Sequence, residues 1–414
     1  MVDHLKSDLR HLATEVVRTL QQAGFEAYFA GGSVRDQIMG NDPADYDIAT
    51  AARPEQVMRL FPRSQHVGAA FGVVMVRQQG RQMEVATFRT DGVYSDGRRP
   101  DTVVFTTAEH DARRRDFTCN GLFYDPVADH LIDYVGGQAD IAARILRAIG
   151  DPAQRFREDH LRMMRAIRFA ARLGFSIEPG TWSAVCDNAV KLSEISRERI
   201  GQELRKMLTH PTRCMAIHLL IASGLFQTLW PQPCQTDGSQ APRLARLAHL
   251  PPCGSFSLAL AALVRDLTIP DAHDSATIAV LPATLQSNLV LSGEETDCVK
   301  WLLTNLPVLA NWRNLRLAAT KRLLAHDWSS DLLAIYAAEH HDDGQFLPLA
   351  TRLAELRKEP IAPDRMVTGG DLIAMGVTPG PRFKLWLEQL YDRQLENEFQ
   401  DRSSALDAAR KLIQ

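Results

Sequence analysis

Residues 28–50 read YFAGGSVRDQIMGNDPADYDIAT, an apolar run that feeds straight into Gly31-Gly32. Glycine lets a backbone approach a phosphate closely and turn its N–H groups toward the oxygens. After a short polar stretch come Asp45 and Asp47. In a strand, residues two apart share a face, so a strand over 45–49 would present both carboxylates beside a phosphate cradle. Mg²⁺ takes one or two protein carboxylates and fills its shell with phosphate and water. Two such ions can clamp the attacking and leaving oxygens of a phosphoryl transfer. A D-x-D pair alone is common in surface turns; the double glycine and Arg35-Asp36 give this one its weight.

Outward from this segment the pattern predicts an amphipathic helix over 5–24 and a strand over 25–30. It also predicts a helix over 54–61, with Pro54 in its first turn. Strands at 73–76 and 83–88 flank Gln78-Gln79-Gly80, a hairpin signal. TDGVYSDGRRPD at 90–101 reads as a loop, and 103–105 and 131–134 as further strands. Glu84 sits among apolar residues in MEVATF, which makes it a candidate third carboxylate. From about residue 154 onward helical periodicity takes over, with strong helices at 156–173 and 195–208 and no confident strand. The class is therefore α+β, a mixed-sheet head followed by helical domains. Pro- and Gly-rich stretches near 230–254 and 358–371 mark boundaries. The divisions expected are 1–150, 151–228, 229–358 and 359–414.

The 414 residues carry a formal net charge of −3, so any nucleic-acid contact must come from local clusters of Arg and Lys. The six cysteines form no C-x-x-C pair, which argues against zinc and disulfide frameworks and for a reducing cytoplasm. No run approaches the roughly 18 apolar residues of a membrane span, and the N-terminus lacks the apolar core of a signal peptide.

Arg113, Arg114 and Arg115 precede Asp116 and Asn120. Arginine neutralises phosphate, often through paired hydrogen bonds; Asp116 or Asn120 could accept from ribose hydroxyls. Asp159, Arg162, Arg165 and Arg168 recur at steps of three and form a winding stripe, with Met163, Met164, Ile167 and Ala171 on the core side. Asp159 beside Arg162 fits the edges of both cytosine and adenine. Each offers an amino donor next to a ring acceptor, whereas uracil and guanine place a carbonyl there. Taken alone, the two residues also read as an ordinary i,i+3 ion pair.

GGSVRD followed by DYDIAT resembles the head of the tRNA nucleotidyltransferase and bacterial poly(A) polymerase family, within the DNA polymerase beta-like superfamily. EVATFR at 84–89, RRRDFTCNGL at 113–122, EDHLRMMRAIRFAARLGF at 158–175 and ISRERIGQEL at 195–204 follow in the family's order. VTGGDLIAMGVTPGPRF at 367–383 and QLENEF at 394–399 resemble the C-terminal segment of the tRNA enzymes. The resemblance implies metal binding by Asp45 and Asp47, and nucleotide contacts by Gly32, Arg35, Arg115, Asp159, Arg162, Arg165 and Arg168. It implies a polymerase beta-like head, then a neck that reads the base, then body and tail domains that hold RNA. The expected reaction is CCA addition to tRNA from CTP and ATP with two Mg²⁺ ions, with no role for DNA or membrane. Poly(A) synthesis and A addition alone are the alternatives. The full-length loop at 90–101 resembles that of enzymes able to add the terminal A. His340-His341-Asp342-Asp343 lacks a partner motif for a metal site, and Trp301, Trp312 and Trp328 read as core.

Overall fold

The computed structural model describes residues 2–67, 72–91, 103–230, 240–265 and 289–413. The chain divides into two compact units, Met1–Met207 with Met215–Gln232, and Leu208–Cys214 with Pro233–Gln414.

The first unit opens with helix α1 (Val2–Gln22), strand β1 (Ala27–Ala30), α2 (Gly32–Ile38) and β2 (Asp47–Thr50). There follow α3 (Pro54–Leu60), β3 (Ser64–His66), β4 (Val73–Gln78) and β5 (Arg81–Thr87). Next come β6 (Arg89–Asp91), β7 (Val103–Phe105), α4 (Ala108–Arg113), β8 (Leu122–Asp125) and β9 (His130–Asp133). Seven strands form one sheet in the order β3-β4-β5-β2-β1-β8-β9. β2 and β5 run parallel; the other neighbours are antiparallel. Alternation places Phe29, Ile48, Val74, Val76, Met83 and Val85 in the core, each 2% exposed or less. Gln78 pairs with Arg81 across a two-residue turn in which Gln79 (φ 47°) and Gly80 (φ 79°) both take positive φ. That is the conformation whose twist matches a right-handed hairpin.

The sequence places the second strand at 45–49, but it begins at Asp47: Asp45 precedes the pairing with β1, which starts at Asp47↔Ala30. Thr90 and Asp91, expected in a loop, pair with Val104 and Val103. The remainder of that loop lies outside the described residues.

Beyond the sheet come α5 (Gly137–Ala143), β10 (Ile145–Leu146), α6 (Pro152–Glu158) and α7 (Leu161–Leu173), then β11 (Ser176–Ile177), α8 (Pro179–Asp187) and α9 (Arg197–Leu208). Asp151 caps α6 by accepting from the Ala153 N–H, and Pro152 occupies the first turn, where its missing N–H costs nothing. Two expectations fail here. The helix foreseen over 156–173 is broken at Asp159-His160: Asp159 leaves α6 in an extended conformation, its carboxylate accepts from the Leu161 N–H, and His160 takes the N-cap position of α7. Also, β11 pairs in parallel with β10, two residues too few to register as a periodicity. The core side of α7 is as expected: Met163, Met164, Ile167 and Ala171 are buried.

The second unit is helical over its described residues, with helices Gln240–His249, Phe256–Val264, Gly293–Ala310, Leu317–Ala325, Ser329–Glu339 and Phe346–Leu356. Ser292 and Glu295 form a capping box at the head of the longest. Helices Gly369–Ala374, Pro381–Leu395 and Arg402–Ile413 enclose a core of their own around Leu372, Leu390, Ala405 and Ala409. Trp312 is buried, whereas Trp301 and Trp328 are half-buried and cluster with His326, a departure from the core reading. No helix among the described residues is long and apolar enough to cross a membrane.

Candidate active site

A cleft of about 450 Å³ opens over β1, β2 and β5 in the first unit. Ala30, Ala49 and Ala86 floor it; their small side chains leave the sheet face open. Gly31, Gly32, Arg35, Asp47, Glu84, Arg115, Asp116, Asn120, Arg162 and Arg165 all contribute to its walls. Ten of the thirteen residues singled out from sequence therefore converge; Asp45, Asp159 and Arg168 do not line it. Gly31 turns the chain from β1 into α2 at φ 71°, ψ −127°, where a side chain is strained. A Cβ there would also lie 3.1 Å from Arg115 Nη1.

The carboxylates owe their placement to the parallel pairing. Ile48 pairs with Val85, so the preceding residues Asp47 and Glu84 stand abreast on the cleft side. Buried Tyr46 separates Asp47 from Asp45. Its ring lies 4.8 Å from that of Phe29, and its hydroxyl accepts from Gln37 Nε2 at 3.1 Å. Asp47 keeps access to solvent at the cleft mouth. Even so, surrounding protein removes enough water, and Glu84 and then Asp45 add enough negative charge, to push its carboxyl up to about 6 against the opposing pull of Arg115.

The opposite wall is a network of arginines already held by acceptors. Buried Asp111 receives both Arg114 and Arg115, at 2.7 and 2.9 Å. Burial alone would raise the Asp111 carboxyl, but Arg115 and Arg114 together hold it below the usual carboxylate range. Arg35 donates to Asp36 and, through Nη1, to Asn120 Oδ1 at 2.7 Å. The other end of the Asn120 amide donates to Asp116 Oδ1 at 3.3 Å, so both ends of that amide are engaged. Asp116 Oδ2 takes Arg165 through Nε at 2.8 Å and Nη2 at 2.7 Å. Here too burial pushes upward, yet Arg165 keeps Asp116 low. A continuous chain of hydrogen bonds thus runs from α2 to α7.

The Arg162 N–H donates to the Asp159 carbonyl at 3.0 Å, but the two side chains have other partners. Asp159 is clasped by Arg199 of α9, Nη1 to Oδ1 at 3.2 Å and Nη2 to Oδ2 at 2.7 Å. Arg162 Nη1 donates to Glu158 Oε2 at 2.6 Å and to the Arg155 carbonyl at 3.1 Å. Glu158 also accepts from Arg155, whose Nη1 and Nη2 reach the carbonyls of Arg114 and Arg113. Arg168 does not line the cleft; it lies behind Phe169 in a buried pair with Glu203, Nε to Oε2 at 2.6 Å. The stripe expected on one helix therefore splits. Asp159 stands just before α7, Arg162 and Arg165 face the cleft, and Arg168 joins α7 to α9.

Asp111, Glu158, Arg199 and Glu203 were not singled out from sequence. Their signal was charge balance, since arginines that dip toward a core require carboxylates, and Glu158, Arg199 and Glu203 lie within motifs already quoted. His340 and His341 make short local pairs with Asp343 and Asp342.

A family model described as the poly A polymerase head domain matches residues 27–147, and one described as the probable RNA and SrmB-binding site of polymerase A matches 174–235. A CCA-adding enzyme of Geobacillus sp. (strain WCH70) is 47% identical over 215 residues, taking in 52% of this chain and 53% of that one. The CCA-adding enzyme of Geobacillus kaustophilus (strain HTA426) is 36% identical over 403 residues, 96% of this chain and 95% of the relative. Among solved structures, the Bacillus stearothermophilus CCA-adding enzyme in complex with CTP superposes with a TM-score of 0.78 at 29% identity, covering 97% of this chain and 98% of that one.

Proposed function

The chain belongs to the family of CCA-adding enzymes, and from that premise we propose that its cleft adds C and A residues from CTP and ATP to the 3′ end of tRNA, releasing pyrophosphate. The observation that carries this reading is the meeting of Asp47 and Glu84 with the Gly31-Gly32 turn and an arginine wall in one cleft. An RNA 3′-hydroxyl, an α-phosphate and a leaving pyrophosphate need these groups together.

The acidic wall fits a hard divalent cation. Asp47 is disfavoured as a lone anion by burial and by Glu84 and Asp45, and a cation would relieve that. Among the described residues no three His, Cys, Asp or Glu side chains gather to enclose a metal by themselves. Mg²⁺ completes its shell with phosphate oxygens, so Asp47 and Asp45 would hold it, with Glu84 as third carboxylate. When bound, Mg²⁺ neutralises charge developing on the transferring phosphate. The chain's own residues do the rest. Gly31 and Gly32 let the triphosphate approach the backbone, and Arg115 and Arg165 supply cations to its oxygens. Asp116, whose oxygens accept from the Phe117 N–H, Asn120 and Arg165, would share one of them with a ribose hydroxyl, and Asn120 holds Asp116 and Arg35 in place.

Base choice rests on Asp159 and Arg162. The amino group shared by cytosine and adenine donates to the Asp159 carboxylate, and the neighbouring ring nitrogen accepts from Arg162. To read a base, the two side chains share or leave Arg199 and Glu158. Uracil and guanine would set a carbonyl against the carboxylate, an unmatched acceptor pair that costs about 1–3 kcal/mol. We assign catalysis to 1–150, base reading to 151–228 and the holding of tRNA to 229–358 and 359–414. Free thiols at Cys119, Cys186, Cys214, Cys253 and Cys298 suit a reducing cytoplasm.

The test uses tRNA transcripts ending before CCA, at CC and at CCA, with each nucleotide supplied alone and then together, and the products sequenced. Addition restores CCA and stops. Long A tails on unstructured RNA with no C added to any tRNA would overturn the reading.

A further inference from the structure

Phe169 lies on α7 with 9% of its surface exposed, in the wall of the cleft. Three guanidinium groups rest against its ring. Their central carbons are 4.1 Å (Arg168), 5.2 Å (Arg165) and 5.6 Å (Arg35) from the centroid. Arg35 comes from α2 and the other two from α7, so the ring is a meeting point of separate segments. Phe117 meets it edge-on, 5.9 Å between centroids at 73°, and fixes its plane.

Three cations gathered around one side chain repel one another. Each has its own carboxylate: Asp36 for Arg35, Asp116 for Arg165 and Glu203 for Arg168. Glu203 also attracts Arg165, and Asp116 also attracts Arg168, but none of these acids is ion-paired with all three arginines, whereas the aromatic ring lies against each of them. A leucine would fill comparable core space. It would not offer the negative face that an aromatic ring turns toward cations.

We propose that Phe169 is a positioning residue for nucleotide binding. Its ring gathers Arg35 and Arg165, backed by Arg168, into a cationic wall assembled before the triphosphate arrives. This deepens the nucleotidyltransferase reading and rests on it. The ring acts on the polyphosphate end of the nucleotide and leaves the base to Asp159 and Arg162. Its loss should therefore weaken CTP, ATP and inorganic tripolyphosphate alike, without changing which base is chosen. One cation–π contact changes an equilibrium about two- to fivefold, so loss of two places the expected weakening at about five- to twentyfold.

The experiment measures equilibrium binding of CTP, ATP and tripolyphosphate to the full chain. The proteins are wild type, F169L, F169M, F169Y and F169W, with steady-state addition of A to tRNA ending at CC run in parallel. F169L and F169M should weaken all three ligands about five- to twentyfold and raise KM by a like factor, with kcat changed less than about threefold. F169Y and F169W should stay close to wild type. Two non-aromatic variants guard against one that fails to fold, and their melting midpoints report folding. Equal loss in F169L and F169Y would show that packing, not the ring face, matters and would overturn the proposal. So would wild-type binding by F169L, or loss confined to one nucleotide. Wild-type protein that binds neither CTP nor ATP would instead overturn the underlying functional reading.

Discussion

Replacing Asp47 by Asn should destroy activity and stabilise the protein at once. The Asp47 carboxyl is raised from the ordinary aspartate value of 3.8 to about 6 by burial, by Glu84 and by Asp45. That is about two units, and each corresponds to about 1.4 kcal/mol. Full shielding from water would make the ionised group about 3 kcal/mol unfavourable in the folded state. Asp47 faces solvent at the cleft mouth, and screening there reduces this to about 1 kcal/mol. The sign follows from linkage. A carboxyl raised on folding favours the folded state while protonated. That advantage is complete below about pH 4 and is lost as pH rises through about 6. Without divalent ions, D47N should therefore melt about 2–4 °C above wild type at pH 7.5, with the gap closing toward pH 4.5. Added Mg²⁺ should raise the wild-type midpoint and leave that of D47N where it was, by mass action on the folded state. Scanning fluorimetry across pH, with and without Mg²⁺, reads all of this. A D47N midpoint below wild type at pH 7.5, or a gap that does not depend on pH, would refute the electrostatic account.

Other perturbations probe the opposite wall. D159A should lower discrimination against UTP and GTP by a factor reflecting about 1–3 kcal/mol while also weakening CTP and ATP; unchanged selectivity among the four nucleotides, measured by single-nucleotide misincorporation, would remove Asp159 from base reading. R199M frees the Asp159 carboxylate from its clasp, so misincorporation should rise by less than in D159A, and a double variant should be no worse than D159A alone. G31A adds a side chain at positive φ and 3.1 Å from Arg115 Nη1; KM for both nucleotides should rise about five- to 150-fold, by analogy with strain of about 1–3 kcal/mol, and wild-type kinetics would show that the turn is not a phosphate cradle.

Much of the site was legible before any coordinates. The strand-glycine-helix run is a local pattern and carries through; the shared strand face read for Asp45 and Asp47 does not, because β2 begins at Asp47 and Asp45 lies outside both the ladder and the cleft lining. Glu84 was found because a carboxylate in an apolar strand stands out. The partners of the arginines were another matter. Arg199 and Glu203 reach Asp159 and Arg168 from a separate helix, and no periodicity encodes which helix will lie opposite. The break at Asp159-His160 was hidden for a different reason. EDHLRMMR contains neither glycine nor proline, and nothing local tells an aspartate on a helix face from one whose carboxylate turns to the Leu161 N–H and interrupts the helix. The short parallel pair β10–β11 exists only through tertiary contact and leaves no sequence trace.

The tight turn at Gln79-Gly80 lies at the far end of the hairpin from the chemistry, yet it serves as the ruler for it. Pairing of Gln78 with Arg81 sets the phase of β5 against β4, and that phase decides which face Glu84 occupies. A strand slipped by one residue exchanges its faces. One residue inserted at this turn, with β4 held in place, would swing Glu84 away from Asp47 and drive Val85 toward the cleft. Conversely, the connection between β2 and β5 can lengthen elsewhere without altering the spacing of Asp47 and Glu84, because that spacing is written in the ladder and not in the loop. Insertions in this part of the chain should thus fall into two sharply different classes, harmless ones in the crossover and inactivating ones at a surface turn that touches no substrate.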